Sequence, residues 1–417
     1  MKNSKGPWRW FVLAIATSNF FLSQFYRASN AVIAPHLIRD LELTTETLGL
    51  LSACFFYAFA LTQIPIGMFL DRIGPRKMMT GLSIVGIAGA LVFSVADSLT
   101  LGILGRILLG VGMACNLMGS FKLLTTWFGP RSFATLSGLV FSIGTLGNMF
   151  AATPLVLLVD EIGWRGAYQL IAGSNFIIIL SFYILVRDRP GNGTAEVRSN
   201  EVRRGFGRIF SDLALLFRKK DYWIIAFGTF ASSGVFLSFQ NLWVGPFLMD
   251  AMGFSAVRAG NVILSLNIGL ILGGPVMGAL SDRVFRTRKW VILWGHVGVC
   301  LIVFLMSMLS PGYGYALFCG LFFGFGLFRG TGLLMYPHIK DLMPLEMAGT
   351  AMTAINFFTM TGSAVFLQGL GSLMERLYPQ ASRGPEAFRA AFFVCSAFLI
   401  ALVLLYAFAR DKSHRTS

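Results

Sequence analysis

Twelve predominantly apolar windows run along the chain, at approximately residues 10–34, 48–70, 77–97, 100–126, 132–158, 166–186, 222–246, 257–280, 290–310, 314–338, 349–373 and 387–409, with short polar segments between them. About 20 apolar residues in a helix cross roughly 30 Å of hydrocarbon, so the windows predict twelve membrane-spanning helices. The longest polar stretch, Arg187 to Asp221, begins RDRPGNGTAEVRSNEVRR, and its charge, proline and glycine read as a linker. Within it FGRIFSDLALLF predicts an amphipathic helix lying on the membrane surface. The expected organisation is therefore an N-terminal six-helix bundle (1–186), a cytoplasmic linker (187–221) and a C-terminal six-helix bundle (222–417). The first window follows Lys2, Lys5 and Arg9, as a signal peptide would, but it continues to Pro35 without a small-residue cleavage site. A retained first span is expected.

Composition agrees with this pattern. Of 417 residues 55% are hydrophobic and 13% charged, with a mean hydropathy of +0.70. A soluble chain carries about 25% charged residues, and so little polar surface cannot cover a soluble globule of this size. The apolar excess faces lipid. A net charge of +15 invites a nucleic-acid reading, but most of it sits in short segments between apolar windows rather than on one basic helix or strand set. Its distribution instead gives orientation. With the N-terminus inside, cytoplasmic segments hold 24 of the 34 basic residues and the outer loops six. Basic residues are retained in the cytoplasm, so both termini are expected there, in a multi-pass protein of the inner (plasma) membrane. Cys54, Cys115, Cys300, Cys319 and Cys395 lie in apolar windows without metal-ligand spacing, and read as small packing residues.

A repeat links the two halves. Gly67, Asp71, Arg72, Gly74, Arg76 and Lys77 follow the second window; Gly278, Asp282, Arg283, Arg286, Arg288 and Lys289 follow the eighth. The glycines are 211 residues apart, as are the aspartates. Duplication of this kind marks transporters that rock two halves around a midplane site. The pattern GxxxDRxGxRK resembles the loop signature of the major facilitator superfamily, with a degraded second copy. Gly105–Gly112 around Arg106 and Gly163-Trp164-Arg165-Gly166-Ala167-Tyr168 resemble further motifs of that family. The resemblance covers essentially the whole chain and implies an all-α membrane protein of twelve helices in two pseudo-symmetric bundles. It also implies transport by alternating access. Gly67, Asp71, Arg72, Gly74, Arg76, Asp282 and Arg283 are then expected to form a conformational latch on the cytoplasmic face; the alternative is that the basic residues only enforce topology.

Ionisable residues at membrane depth are costly and point to function. All 19 acidic residues fall in loops or at window ends, whereas Arg27 and Arg329 lie within windows. A positive interior suits an anion, and the guanidinium fork matches carboxylate, sulfonate or phosphate. Asn19, Ser23, Arg27 and Asn30 form a polar stripe on one helix face, and Tyr336 stands two turns beyond Arg329. Substrate contacts are expected at Arg27, Asn30, Tyr26, Arg329, Tyr336, Gln240, Asn241 and Asn356. Each arginine has a second reading, in which it satisfies helix-end carbonyls; for Arg329 these are near Gly326, Gly330 and Gly332. Arg106, Lys122 and His338 are candidate coupling residues, Arg106 being equally readable as packing on the first span and Lys122 as snorkelling to the cytoplasmic surface.

Tyr26-Arg27-Ala28-Ser29-Asn30 through Pro35 resembles the first span of organophosphate antiporters and organic-anion symporters, which implies that Arg27 anchors an anion. Ser238 stands where the antiporters carry a second arginine, and Tyr26 where the symporters often carry an aspartate. A singly charged acid is therefore favoured over a phosphate ester. The expected protein is a carrier of a small organic anion, coupled to a proton, to a counter-anion or to neither, and acting as a monomer without cofactor or metal. The alternatives are a transporter-fold sensor for such an anion, or a drug or lipid exporter. The exporter reading is opposed by the scattered Gly144, Gly147 and Pro154 of the fifth window. No nucleotide loop, nucleophile–base set or metal cluster supports an enzyme.

Overall fold

The computed structural model describes residues 7–128, 133–188, 215–343 and 348–411, except the side chains of 67, 68, 71, 133–135, 348–350 and 353. The described residues are all-helical, without a strand. In chain order the helices are α1 (Trp8–Ala28), α2 (Asn30–Asp40), α3 (Thr45–Ile73), α4 (Pro75–Ser94), α5 (Leu99–Met113), α6 (Asn116–Phe128), α7 (Phe133–Phe150) and α8 (Thr153–Leu185). They continue as α9 (Lys220–Ala251), α10 (Ala256–Val284), α11 (Arg288–Ser307), α12 (Tyr315–Leu342), α13 (Ala348–Leu377) and α14 (Pro385–Tyr406). Among the described residues, ten helices are long and apolar enough to cross a membrane, and each predicted window falls on helix. The amphipathic helix expected at FGRIFSDLALLF lies almost wholly outside the described residues.

The helix boundaries differ from the windows where the backbone breaks. The first window is divided at Ser29, the fourth at Ala114–Cys115 and the fifth at Ala151–Ala152. The fifth and sixth windows meet in one kinked helix, α8, which turns at Gly163 with φ +72°, a left-handed conformation that L side chains rarely adopt. In α9 two π-helical turns, Phe239–Trp243 and Phe247–Ala251, flank the short segment Val244–Pro246. The middle of α12 is 3-10 helical over Gly330–Leu334.

The chain forms two compact units, residues 1–29 with 57–209 and residues 30–56 with 210–417. In the first, α4 and α5 cross on glycines: Gly86 faces Gly112, and Gly105 lies against Phe93. Small residues let backbones approach where no water is available to drive association. In the second, α10 and α12 approach the same way through Gly269, Gly273, Gly326 and Gly330. Also in the second unit, α2 and the N-terminal half of α3 pack on α9 and α13. Pro35 has no N–H to give the Ala31 carbonyl, and Gly245 lies directly against that carbonyl. The Trp243 indole donates to the Leu367 carbonyl at 3.2 Å, and Gly49 and Gly371 seat its ring edge. Large apolar side chains elsewhere point outward, such as Ile177 (66% exposed) and Trp294 (66%), as lipid-facing residues do.

Candidate functional site

In the first unit the site residues gather at the break after α1. Interrupting a helix at Ser29 strips the Tyr26 carbonyl of its usual partner four residues on, and a bare buried carbonyl is costly. Arg106 Nη1 donates to that carbonyl at 3.0 Å, and Ser29 Oγ donates to it at 3.2 Å. Ser29 Oγ also bonds Tyr168 Oη, whose ring lies against those of Tyr26 and Phe93. Arg106, Tyr26 and Tyr168 are fully buried. Arg106 therefore lies against the first span. Tyr26 points into the unit's interior. Arg27, one residue on, is buried at 8% exposure with its guanidinium 5.2 Å from the Phe59 ring centre, and so is carried on a different face from Tyr26.

The rest of the polar stripe holds the break in the fourth window. Ser23 Oγ donates to the Met113 carbonyl, Gln63 Nε2 to the Ala114 carbonyl, and Asn116 Nδ2 to the Asn19 carbonyl. Gln63 and Asn116 are amides inside apolar windows, the kind of position at which a polar side chain marks a buried backbone break. Lys122 is half-buried, within two turns of the end of α6 at Phe128. Asn30 belongs to the second unit, where its Nδ2 donates to Ser52 Oγ at 2.9 Å.

The second unit brings several predicted residues together around the broken part of α12. Arg329 ends its regular turn, and its Nη2 donates to Ser233 Oγ on α9 at 2.7 Å. The guanidinium lies over the Phe236 ring and folds onto Gly332, where a Cβ would occupy its place. Arg329 Nε makes no hydrogen bond, and among the described residues no carboxylate pairs with Arg329. Two turns further, Tyr336 Oη donates to Asn356 Oδ1 at 2.9 Å and stands 3.4 Å from Thr359 Oγ1, both on α13. Gln240 reaches Asn267 on α10 at 2.8 Å from within the first π turn, and Asn241 donates to its own helix at Leu237. Ser238 also bonds its own helix, at Val235.

At the loop motifs, Gly74 (φ +90°) caps α4, and Asp188 fills the space beside it, accepting from the Arg76 backbone N–H at 2.7 Å. Arg76 Nε donates to the Tyr183 carbonyl at 2.8 Å. The side chain of Asp71 and that of Gly67 lie outside the described set; Arg72 is exposed. In the repeat, Arg288 joins Asp282 at 3.6 Å and Asp341 at a closer approach, and Arg283 is exposed on the same π turn. His338 has both ring nitrogens engaged, Nδ1 with Tyr406 Oη at 2.6 Å and Nε2 with the Arg410 carbonyl at 3.0 Å.

Helices that pack through glycines, break at mid-depth and carry buried arginines define a polytopic membrane transporter. The sequence model of the Major Facilitator Superfamily matches residues 15–367, and the chain belongs to that family. Similar proteins include a probable sulfoacetate transporter, SauU, of Cupriavidus necator (24% identical, covering 82% of this chain and 80% of that protein). A D-galactonate transporter of Escherichia coli is 24% identical over 84% of this chain and 86% of its own. A probable hexose phosphate transport protein of Chlamydia trachomatis is 23% identical over 95% and 90%. Among solved structures, a bacterial homologue of the lysosomal transporter Spinster superposes with a TM-score of 0.73 at 17% identity, covering 97% of each chain. The nucleoside transporter NupG gives 0.77 at 13% identity, over 95% of this chain and 99% of its own. These two show the fold.

Proposed function

We propose that this transporter carries a small organic anion across the plasma membrane by alternating access, with both termini in the cytoplasm and with Arg27 and Arg329 as anion contacts. The observation that carries this reading is Arg329: a guanidinium at the helix break of α12, held by a neutral serine hydroxyl, with no acidic partner among the described residues. Charge at membrane depth is retained for a reason, and a polar cluster of Tyr336, Asn356 and Thr359 stands two turns along α12. The names of the relatives agree in kind, since sulfoacetate, galactonate and hexose phosphate are all organic anions. Ser238, turned back on its own helix, favours a singly charged acid.

The test is counterflow in proteoliposomes, with sulfoacetate, D-galactonate and a hexose phosphate each tried as the labelled anion. Losing a charge-assisted hydrogen bond costs about 1.5–3 kcal/mol, so Arg329→Ala and Arg27→Ala should each weaken apparent affinity by roughly tenfold to a hundredfold or abolish transport. Arg27→Lys should also impair it where two-pronged recognition matters. Normal affinity in both alanine variants would refute the anion assignment.

A further inference from the structure

We infer that His296 is a proton-binding site of this carrier, linked to the anion held by Arg329, so that one proton accompanies each singly charged anion. The inference rests on the proposed function and assigns its coupling ion. His296 lies nine residues into α11 and is buried. Its Nδ1 bonds the Ile292 carbonyl at 2.7 Å, which fixes that nitrogen as the N–H donor of a neutral ring. Nε2 is then the acceptor, and it makes no hydrogen bond. A buried basic nitrogen without a partner is unusual, because it carries the full loss of hydration.

Glycines on either side place this ring beside the break in α12. A Cβ on Gly298 would stand 2.6 Å from the Phe328 ring, and Gly295 is in direct contact with the Thr331 side chain. Phe328 and Thr331 flank Arg329 in the chain. The ring also stacks on Tyr406 of α14, with centroids 6.0 Å apart and planes 7° apart. The other ionisable groups on the packed elements are committed elsewhere. Arg288 pairs with Asp282 and Asp341, Asp411 accepts from Thr287, Arg410 meets Asp221, and His338 bonds Tyr406 and the Arg410 carbonyl. Cys300 faces the Ser396 carbonyl, and Cys395 is buried. Arg283 and Lys340 are exposed.

The linkage follows from charge. An imidazolium at His296 and the guanidinium of Arg329 repel, and an anion seated on Arg329 cancels that repulsion. Anion and proton therefore favour each other's binding, by the same factor in both directions. Nε2 takes a proton from one side of the membrane and gives it up on the other when the anion leaves; no other bond changes. A monoanion with one proton crosses without net charge. The helix that carries His296 has no carboxylate of its own, and His338 has no nitrogen to spare.

The test uses the full chain in proteoliposomes with D-galactonate, a singly charged acid, the membrane voltage being clamped. One proton per anion converts an imposed gradient of about one pH unit into roughly tenfold accumulation. Wild type should reach that ratio, while His296→Gln and His296→Asn should fall to equilibration without accumulation; His36→Gln, on a helix that takes no part, should behave as wild type. As a measurement independent of variant folding, the counterflow KM of the wild type should rise about tenfold per pH unit above its midpoint. Wild-type counterflow without any response to a pH gradient overturns the inference alone, as does equal accumulation by wild type and His296→Gln. Absence of counterflow for every anion tried overturns the anion reading, and this inference with it.

Discussion

Arg106 and Arg329 are both buried guanidiniums beside a helix break, but their hydrogen bonds separate their roles. Arg106 spends its charge on a carbonyl that the break at Ser29 left bare, and its ring neighbours are Phe93 and Tyr168. Arg329 meets a side-chain hydroxyl of α9 instead of a backbone carbonyl. Arg106→Ala should thus act on stability: an orphaned buried carbonyl costs about 1–3 kcal/mol, seen as a lowered Tm of the purified protein in detergent. Arg106→Lys should recover part of it. Lost transport at unchanged Tm would move Arg106 into the coupling machinery. Gly332→Ala makes a complementary case, because the new Cβ falls where the guanidinium lies. It should weaken anion affinity about as much as Arg329→Ala, with little change in Tm.

At the scale of elements, the interruptions carry the chemistry. Two of them are met by side chains from other helices: Ser23 and Gln63 at the break after α5, Arg106 at the break after α1. The π turn of α9 aims Gln240 at Asn267. Hydropathy located the helices because lipid exposure and length are local properties of a window. It gave no sign of where they break, since proline marks Pro35, Pro65 and Pro275 inside helices, while Ser29 and Ala114–Cys115 break without it. The close α10–α12 crossing gives a test of this scale. Gly326→Leu drives a side chain into the Leu266 carbonyl and should sharply lower the yield of folded protein, whereas Gly278→Leu, which meets open space, should not.

At the scale of the molecule, the first two windows are shared between the units. Residues 1–29 and the inner part of α3 belong to the first, while residues 30–56 belong to the second, a grouping by contact that differs from the order of the chain. The outer end of that segment is bonded at several points: Glu375 accepts from the Glu46 backbone N–H at 2.9 Å, Ser372 donates to the Glu46 carboxylate at 2.8 Å, and the Thr45 and Ser382 hydroxyls stand 2.6 Å apart. Side chains that close lie within disulfide reach. In a background without the five native cysteines, Thr45→Cys with Ser382→Cys should cross-link under mild oxidation and, both residues lying in one unit, leave transport intact. Transport lost on oxidation and restored by reductant would show that this contact opens during the cycle.

The sequence by itself determined the helical membrane class, the two-fold repeat and the excess of buried positive charge over buried acid. Those follow from composition, window length and motif spacing, which need no knowledge of neighbours. Only the tertiary structure decided which arginine meets a bare carbonyl and which a hydroxyl, that Tyr26 and Arg27 face apart, that Gln63 and Asn267 matter, and that both ring nitrogens of His338 are engaged but only one of His296. The physical reason is the same throughout: a buried polar group is defined by the atoms that satisfy it, and in this fold those atoms come from helices distant in sequence.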